Sequence, residues 1–281
     1  VATVLAREGG SYRVLLAGVE RDAILRGKAR REEDRAVAGD RVKIDPATVA
    51  EDVLGIDSVL PRKSLLARRT PGGRGQRPIA ANVDQVAIVI AAASPDPVLQ
   101  LLDRLLVAAE SNDLAVVVVV NKVDLANAQL VADHLAAADY HLVTTCAVAG
   151  NGVDELRALL MGKETVITGP SGAGKSSLLN ALVPDLHLRV GTVSEKVGRG
   201  RHTTTSAVMV PIGGDSYVVD TPGFSDVGVW AVGTPELGEL FPEFRPLIDE
   251  CRFADCGHRS EPGCAVREAV TAGTIATSRY E

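Results

Sequence analysis

The sequence predicts a multi-domain protein with an N-terminal β-barrel of the OB-fold type, a central α/β domain on a parallel sheet, and a small helical C-terminal module. Three observations lead to this fold class. Short β-type runs separated by turns fill residues 1 to about 70, strand and helix patterns alternate from residue 82, and three cysteines and a histidine cluster near the C-terminus. We place the domain boundaries at 1–75, 76–235 and 236–281.

The composition is that of a folded, non-membrane protein. Hydrophobic residues make up 46% of the 281 residues, which is enough to bury a core in each large domain. The longest apolar runs, Leu114–Val120 and Val86–Ala93, have seven and eight residues, whereas a membrane-spanning helix needs ~18. The N-terminus also lacks the pattern of a secretory signal. We expect a cytoplasmic protein with no membrane contact, and we take it to be a monomer.

The N-terminal part contains five short β-type runs, with hairpin turns at Gly9-Gly10 and Gly39-Asp40. Five strands of this length suit an OB-fold. The runs are Ala2–Arg7, Tyr12–Leu16, Ala23–Leu25, Arg41–Ile44 and Val53–Val59. The net charge of the chain is −6, but residues 1–80 carry more Lys and Arg than Asp and Glu, which allows local contact with a polyanion. Basic residues gather near the end of the barrel: Arg62, Lys63, Arg68, Arg69, Arg74 and Arg77.

In the central part, strands and helices alternate and the polar motifs follow strands. This alternation predicts a parallel sheet with crossover helices, whose ligands bind at the carboxyl ends of the strands. One motif matches the phosphate-loop pattern GxxxxGK[ST] and stands between a strand and an apolar helix. Its backbone amides, lysine and serine would hold phosphates and Mg²⁺. We assign to it Gly169, Pro170, Ser171, Gly172, Ala173, Gly174, Lys175, Ser176 and Ser177.

A second motif, Asn121-Lys122-Val123-Asp124, ends an earlier strand. The Asp124 carboxylate can accept two N–H bonds from guanine N1 and N2, whereas adenine offers an acceptor at N1 and has no 2-amino group. Cys146 and Ala147 follow the next strand, where GTPases often carry a Ser-Ala pair that contacts guanine. Cys146 is alternatively a small buried residue.

A third motif, Asp220-Thr221-Pro222-Gly223, would hold Mg²⁺ through water at Asp220 and the γ-phosphate at Gly223. Before it, a polar segment ends in His202-Thr203-Thr204-Thr205. One of these threonines should bind Mg²⁺, and we prefer Thr204 to Thr203. Ras-like enzymes place a water-orienting Gln after the glycine, but Phe224 stands here. Either His202 supplies that role or it is a solvated loop residue. With His202 in that role, the catalytic set is His202, Thr204 and Lys175.

The order of the three motifs is unusual, because the guanine motif precedes the phosphate loop. An ordinary Ras-like GTPase runs phosphate loop, DxxG and then NKxD. The order here indicates a circular permutation, which a compact domain tolerates when its termini lie close together.

The C-terminal cluster comprises Cys251, Cys256, His258 and Cys264. Three thiolates and one imidazole form a closed set of the kind that structural Zn²⁺ prefers. The segment after residue 235 has little apolar mass, so one structural zinc ion would replace part of a core.

Together, the barrel, NKVD, GPSGAGKSS, GRGRHTTT, DTPGF and the Cys₃His segment resemble the ribosome small subunit-dependent GTPase A family, over nearly the whole chain. The resemblance implies an OB-fold, a permuted GTPase domain binding GTP/GDP and Mg²⁺, and a zinc-binding domain. It implies a role in late maturation of the small ribosomal subunit, contact with its rRNA, and hydrolysis stimulated by the subunit. It also implies an apolar residue at Phe224 and a part for His202 in hydrolysis. Two alternatives stay open: a GTP-binding protein with another RNA target and little turnover, and a P-loop kinase or ATPase.

Overall fold

The structure is a computed structural model that describes residues 1–26, 36–69, 76–183, 207–221 and 234–281. The predicted switch segment with His202, Thr203 and Thr204 lies outside the described residues, as do Arg74, Gly223 and Phe224.

The first five strands close into a barrel, as the sequence predicts. The strand order is β1-β2-β3-β5-β4, and β4 pairs back onto β1. Strands β3 and β5 are parallel, and the other neighbours are antiparallel. Alternate residues fill the interior because successive side chains of a strand point to opposite faces, and Val4, Val14, Val42 and Ile56 are fully buried there. The strands are β1 Ala2–Glu8, β2 Ser11–Leu16, β3 Val19–Leu25, β4 Arg41–Ile44 and β5 Val53–Val59.

A hairpin that the sequence pattern did not predict follows the barrel. It consists of β6 Leu65–Arg69 and β7 Gln76–Ala81. The domain boundary that we placed after residue 75 falls between its two strands. Beyond it, Asn82 Nδ2 donates to Gly39 O at 2.8 Å, and the Asn82 carbonyl Oδ1 accepts from Lys63 N at 2.9 Å. These bonds fix the chain as it leaves the barrel.

The central sheet has the strand order β10-β9-β8-β11-β13-β12. Its first five strands are parallel, and β12 is antiparallel to β13 and joins this sheet to β1 of the barrel, where Val208 pairs with Ala6. This confirms the predicted parallel sheet and adds β12 to it. The strands are β8 Gln85–Ala91, β9 Ala115–Asn121, β10 His141–Thr145, β11 Glu164–Thr168, β12 Val208–Gly213 and β13 Ser216–Asp220.

Two helices cover each face of this sheet. On β8, Val86, Ile88 and Ile90 pack in the cluster with α1 and α2, while Ala87 and Val89 pack in the cluster with α3 and α4. Both faces of the strand are therefore buried, which explains its continuous apolar sequence. The helices are α1 Leu99–Glu110, α2 Gln129–Leu135, α3 Val153–Leu160 and α4 Lys175–Leu182.

The barrel joins the central domain through charged groups near the amino end of β11. Arg62 pairs with the fully buried side chain of Asp40 at 2.7 and 2.9 Å. Arg41 pairs with Glu164, the first residue of β11. Burial raises the pKa of Glu164, and Arg41 partly offsets this. The Arg41–Glu164 pair crosses between the two domains, whereas the Arg62–Asp40 pair lies within the N-terminal part and engages a basic residue that we expected to face a polyanion.

The C-terminal module contains four short helices around a small core of Phe244, Val266, Ile275 and the cysteines. In the part of the chain that the structure describes, no helix is long and apolar enough to cross a membrane. The helices of the module are α5 Thr234–Glu239, α6 Arg245–Ile248, α7 Ala265–Thr271 and α8 Thr277–Tyr280.

A buried ion network holds this module against α1 and α2. Arg279 of α8 donates to Glu243 at 2.6 and 3.1 Å and to Asp103 of α1 at 2.5 Å. His134 of α2 lies between Asp103 Oδ1 at 2.8 Å and Ser278 Oγ at 2.7 Å. Burial alone would lower the pKa of Arg279, but Glu243 and Asp103 outweigh burial and raise it.

Candidate functional site

The phosphate loop connects β11, which is buried along its whole length, to the first turn of α4. Two glycines make its path possible. Gly169 has φ of +137°, and a Cβ there would lie 2.0 Å from Val89 O. Gly174 has φ of +95°, and a Cβ there would lie 2.2 Å from the side-chain nitrogen of Asn121. Any larger residue would push the loop away from the neighbouring strand ends.

Lys175 curls back over the loop. Its ammonium donates to Gly169 O at 2.7 Å and to Pro170 O at 2.9 Å. Burial lowers the pKa of Lys175, while Asp220 raises it. Burial raises the pKa of Asp220 to about 6, and Lys175 acts in the opposite direction. The pair therefore forms a partly desolvated cation and carboxylate beside the loop, as a phosphate and Mg²⁺ site requires.

Asp220 lies beside the phosphate loop because β13 pairs with β11. The register places Asp220 next to Ile167, two residues before Gly169. Ser176 is buried in the first turn of α4. Ser176 and Asp220 could hold Mg²⁺, since a hydroxyl and a carboxylate are oxygen ligands of the type this ion prefers. Thr204 and Gly223, expected at the same place, fall in undescribed segments.

Asn121 joins the guanine motif to the phosphate loop. Its side-chain nitrogen donates to Ala173 O at 2.9 Å, and its Oδ1 accepts from Thr145 Oγ1 at 3.0 Å and from Ala147 N at 3.2 Å. Asn121 is buried, with 1% of its surface exposed. The ends of β9, β10 and β11 are therefore tied together by one side chain.

The other residues assigned to guanine binding lie around Asn121. Val123 N donates to Thr145 O at 3.3 Å, and Asp124 is exposed. Cys146 is buried, and its N–H donates to Asn151 O at 2.9 Å, which shapes the turn that presents Ala147. The exposed carboxylate of Asp124 could meet a guanine edge, whereas Cys146 is buried.

The loop Ala92–Val98 follows β8 and lies at the same carboxyl edge of the sheet as the motifs. None of the sequence motifs includes it. Lys122 Nζ donates to Ser94 O, and Pro95 lies next to Gly172 of the phosphate loop. Its position after the strand that neighbours β11 is the signal that could have found it.

The second candidate site is the metal centre of the C-terminal module. The ligand atoms of Cys251, Cys256, His258 and Cys264 all lie within 4.8 Å of one another. His258 Nδ1 is 3.6 Å from Cys251 Sγ and 3.5 Å from Cys264 Sγ, and these two sulfurs are 4.0 Å apart. A tetrahedral Zn²⁺ with ordinary bond lengths separates sulfur from nitrogen by about 3.6 Å and sulfur from sulfur by about 3.8 Å. The four side chains therefore fit one zinc ion.

The surroundings of the cluster suit a metal that binds thiolates and neutral imidazole. Burial lowers the pKa of His258, which favours the neutral ring, although Glu261 acts in the opposite direction. Burial raises the pKa of the Cys256 thiol to about 11, which a coordinated cation reverses. Glu261 accepts from three backbone amides, those of Gly257, Arg259 and Ser260, at 2.8–3.1 Å. These bonds fix the turn that presents His258.

The fold and the order of the motifs define a circularly permuted GTPase. Two solved structures are similar over 99% of this chain. One is YjeQ from Thermotoga maritima, with a TM-score of 0.79, 35% identity and 94% of that chain covered. The other is YloQ, described as a circularly permuted GTPase, with a TM-score of 0.75, 27% identity and 90% of that chain covered.

Sequence comparison identifies the family. The profile of the family described as RsgA GTPase matches residues 59–230. The relative from Gemmatimonas aurantiaca is 45% identical and the one from Moorella thermoacetica is 44% identical, each over 99% of this chain and 93% of the relative. Both carry the name small ribosomal subunit biogenesis GTPase RsgA. The chain belongs to the RsgA GTPase family, and it is a GTP hydrolase.

Proposed function

We propose that this GTPase acts in the biogenesis of the small ribosomal subunit, in the cytoplasm and as a monomer. The observation that carries the proposal is the similarity to relatives with that name, because it extends over 99% of the chain and so includes the barrel and the metal module. A likeness confined to the nucleotide domain would support GTP hydrolysis alone.

We infer that the nucleotide lies across the carboxyl ends of β9, β10 and β11. Asp124 reads the guanine edge, and the amides of residues 169–177 hold the phosphates. Lys175 neutralises charge that develops on the β- and γ-phosphate oxygens as the bond breaks. This assignment is supported by the bonds from Asn121 to Ala173, Thr145 and Ala147, which hold the base and phosphate halves in one site.

Mg²⁺ would be held by Ser176, with Asp220 through water and Thr204 of the switch segment, and it would supply neutralising charge between the β- and γ-phosphates. The motif position that orients the attacking water in Ras-like enzymes is Phe224, which cannot form that hydrogen bond. We therefore propose that hydrolysis is slow until the ribosomal subunit binds, with His202 as the residue that orients water.

We further propose that residues 1–75 contact rRNA through phosphates and that residues 236–281 form a zinc-binding domain. Residues 1–80 contain one aromatic residue, Tyr12, which is buried, whereas surfaces that stack bases need several exposed rings. Binding through phosphates should weaken steeply with salt.

Co-sedimentation tests this function. The protein, loaded with a non-hydrolysable GTP analogue or with GDP, is centrifuged with purified small or large ribosomal subunits. The proposal predicts that the GTP-analogue form pellets with small subunits, that GDP weakens this binding, and that large subunits bind little. Equal binding to both subunits, or binding to neither, would contradict it.

A further inference from the structure

The loop Ala92–Val98 belongs to none of the sequence motifs, yet it lies at the edge of the sheet that carries them. It leaves β8, which pairs with β9 on one side and with β11 on the other. The loop therefore emerges between the strand that ends in Asn121 and the strand that leads into the phosphate loop.

The first contact of this loop is with Lys122. The ammonium of Lys122 donates to the backbone carbonyl of Ser94. The stem of the same side chain runs beside the phosphate loop, because a Cβ at Gly174 would lie 3.9 Å from Lys122 Cε. The distal end of the Lys122 side chain thus lies between the Ser94 carbonyl and the phosphate loop.

The second contact is with the phosphate loop itself. A Cβ at Gly172 would lie 3.2 Å from Pro95 Cδ and 3.7 Å from Pro95 Cγ. The contacts form a closed ring that runs from Gly172 to Gly174, along Lys122 to Ser94, and through Pro95 back to Gly172. A displacement of any of these residues would therefore change the packing against the phosphate loop.

Two features make this loop a fixed support for the lysine. Pro95 and Pro97 each fix a φ angle, so the loop has few conformations available. The acceptor at Ser94 is a backbone carbonyl, whose position depends on the path of the chain. Lysine has a flexible four-carbon stem, and a side chain that must be ordered on binding weakens affinity. Here the stem is ordered by contacts within the protein.

We propose that Pro95 is a positioning residue of the nucleotide site. Through the Ser94 carbonyl and its own contact with Gly172, it holds the Lys122 stem against the phosphate loop and slows nucleotide release. The inference rests on the proposed placement of the nucleotide across these strand ends.

The release rate of a fluorescent GDP analogue, measured by stopped flow with excess GDP, tests this. Pro95→Ala should speed release about 2- to 10-fold, the range expected when one long side chain loses its order. Pro97→Ala is the matched control, since it loosens the same loop while the Pro95 ring stays on Gly172. We expect it to change the rate by less than about twofold. Pro95 is exposed, so its truncation removes no core packing.

A double variant separates positioning from a general effect on the loop. Because Pro95 acts through Lys122, Pro95→Ala should add little to the faster release of Lys122→Met. The proposal is overturned if Pro95→Ala leaves release unchanged, if Pro97→Ala matches it, or if the effects of Pro95→Ala and Lys122→Met multiply. A parent protein that binds no guanine nucleotide would instead refute the proposed function, which keeps the two failures distinct.

Discussion

Replacing Arg279 by Met should release the C-terminal module from the GTPase domain. The side chains of Arg279 and Glu243 are both 1% exposed, and Asp103 is 16% exposed. Methionine keeps most of the volume of the arginine but leaves the Glu243 carboxylate buried without its cation. Breaking one side of a buried ion pair costs ~3–5 kcal/mol, far more than the intact pair contributes over an apolar replacement.

The matched control is Arg245→Met. Arg245 also links the module to α1, through Glu110 at 2.6 Å, but its side chain is 48% exposed. Solvent screens such a pair, so its loss should cost only ~0–1 kcal/mol. The two variants remove the same charge from the same interface and differ mainly in burial.

Hydrogen exchange is the suitable assay, because a multi-domain chain need not unfold in one step. Exchange of amides in α7 reports the opening of the module by itself. Arg279→Met should accelerate it ~100-fold or more, while Arg245→Met should change it by less than ~5-fold. A double change, Arg279→Met with Glu243→Leu, should restore much of the protection because the fully buried Glu243 carboxylate is gone, while Asp103 is partly exposed and keeps its contact with His134. Equal protection in parent and Arg279→Met would show that the buried ion network does not hold the module in place.

Three further outcomes are expected. Asp124→Asn should weaken GTP binding by roughly 1.5–3 kcal/mol and favour xanthine nucleotides, whose 2-oxo group accepts from the new amide; unchanged selectivity in competition binding would contradict the guanine assignment. Cys256→Ser should lower the zinc content found by elemental analysis and loosen the module while GDP binding persists, and a zinc-free parent purified without chelator would contradict it. The raised pKa of Glu164 means that folding takes up a proton between its ordinary and its raised pKa. Stability should therefore fall as pH rises through that window, and Glu164→Gln should remove this part of the slope in denaturant titrations at pH 5 and 7.5; equal slopes would refute it.

Much of the site could be predicted because its signals are local. The phosphate loop is a strand, a glycine-rich turn and a helix within about twenty consecutive residues, and glycine is required where the backbone crowds Val89 and Asn121. The Cys₃His set lies within fourteen residues, so short turns suffice to bring the ligands together. Phosphate binding explains several neighbouring residues in the loop, and metal binding explains several neighbouring residues in the Cys₃His set.

The features that escaped prediction depend on distant partners. Arg279 and Asp103 are 176 residues apart, and no pattern in the sequence around either residue identifies the other as its partner. Strand β12 was missed because Pro211 interrupts its apolar run. Pro211 is tolerated because the register pairs it with Tyr217 of β13, while the pairing of β12 with β1 is at Val208. Proline is found where its absent N–H has no ladder partner.

Hydrolysis of GTP, measured with and without purified small ribosomal subunits, tests whether this GTPase is activated by the small subunit. We expect slow turnover of GTP by the protein alone and strong acceleration by small subunits; groups supplied in trans accelerate related enzymes by ~10³–10⁵. Lys175→Ala should abolish the accelerated rate, and ATP should not replace GTP. A GTP turnover rate that small subunits leave unchanged, or equal turnover of ATP, would contradict it.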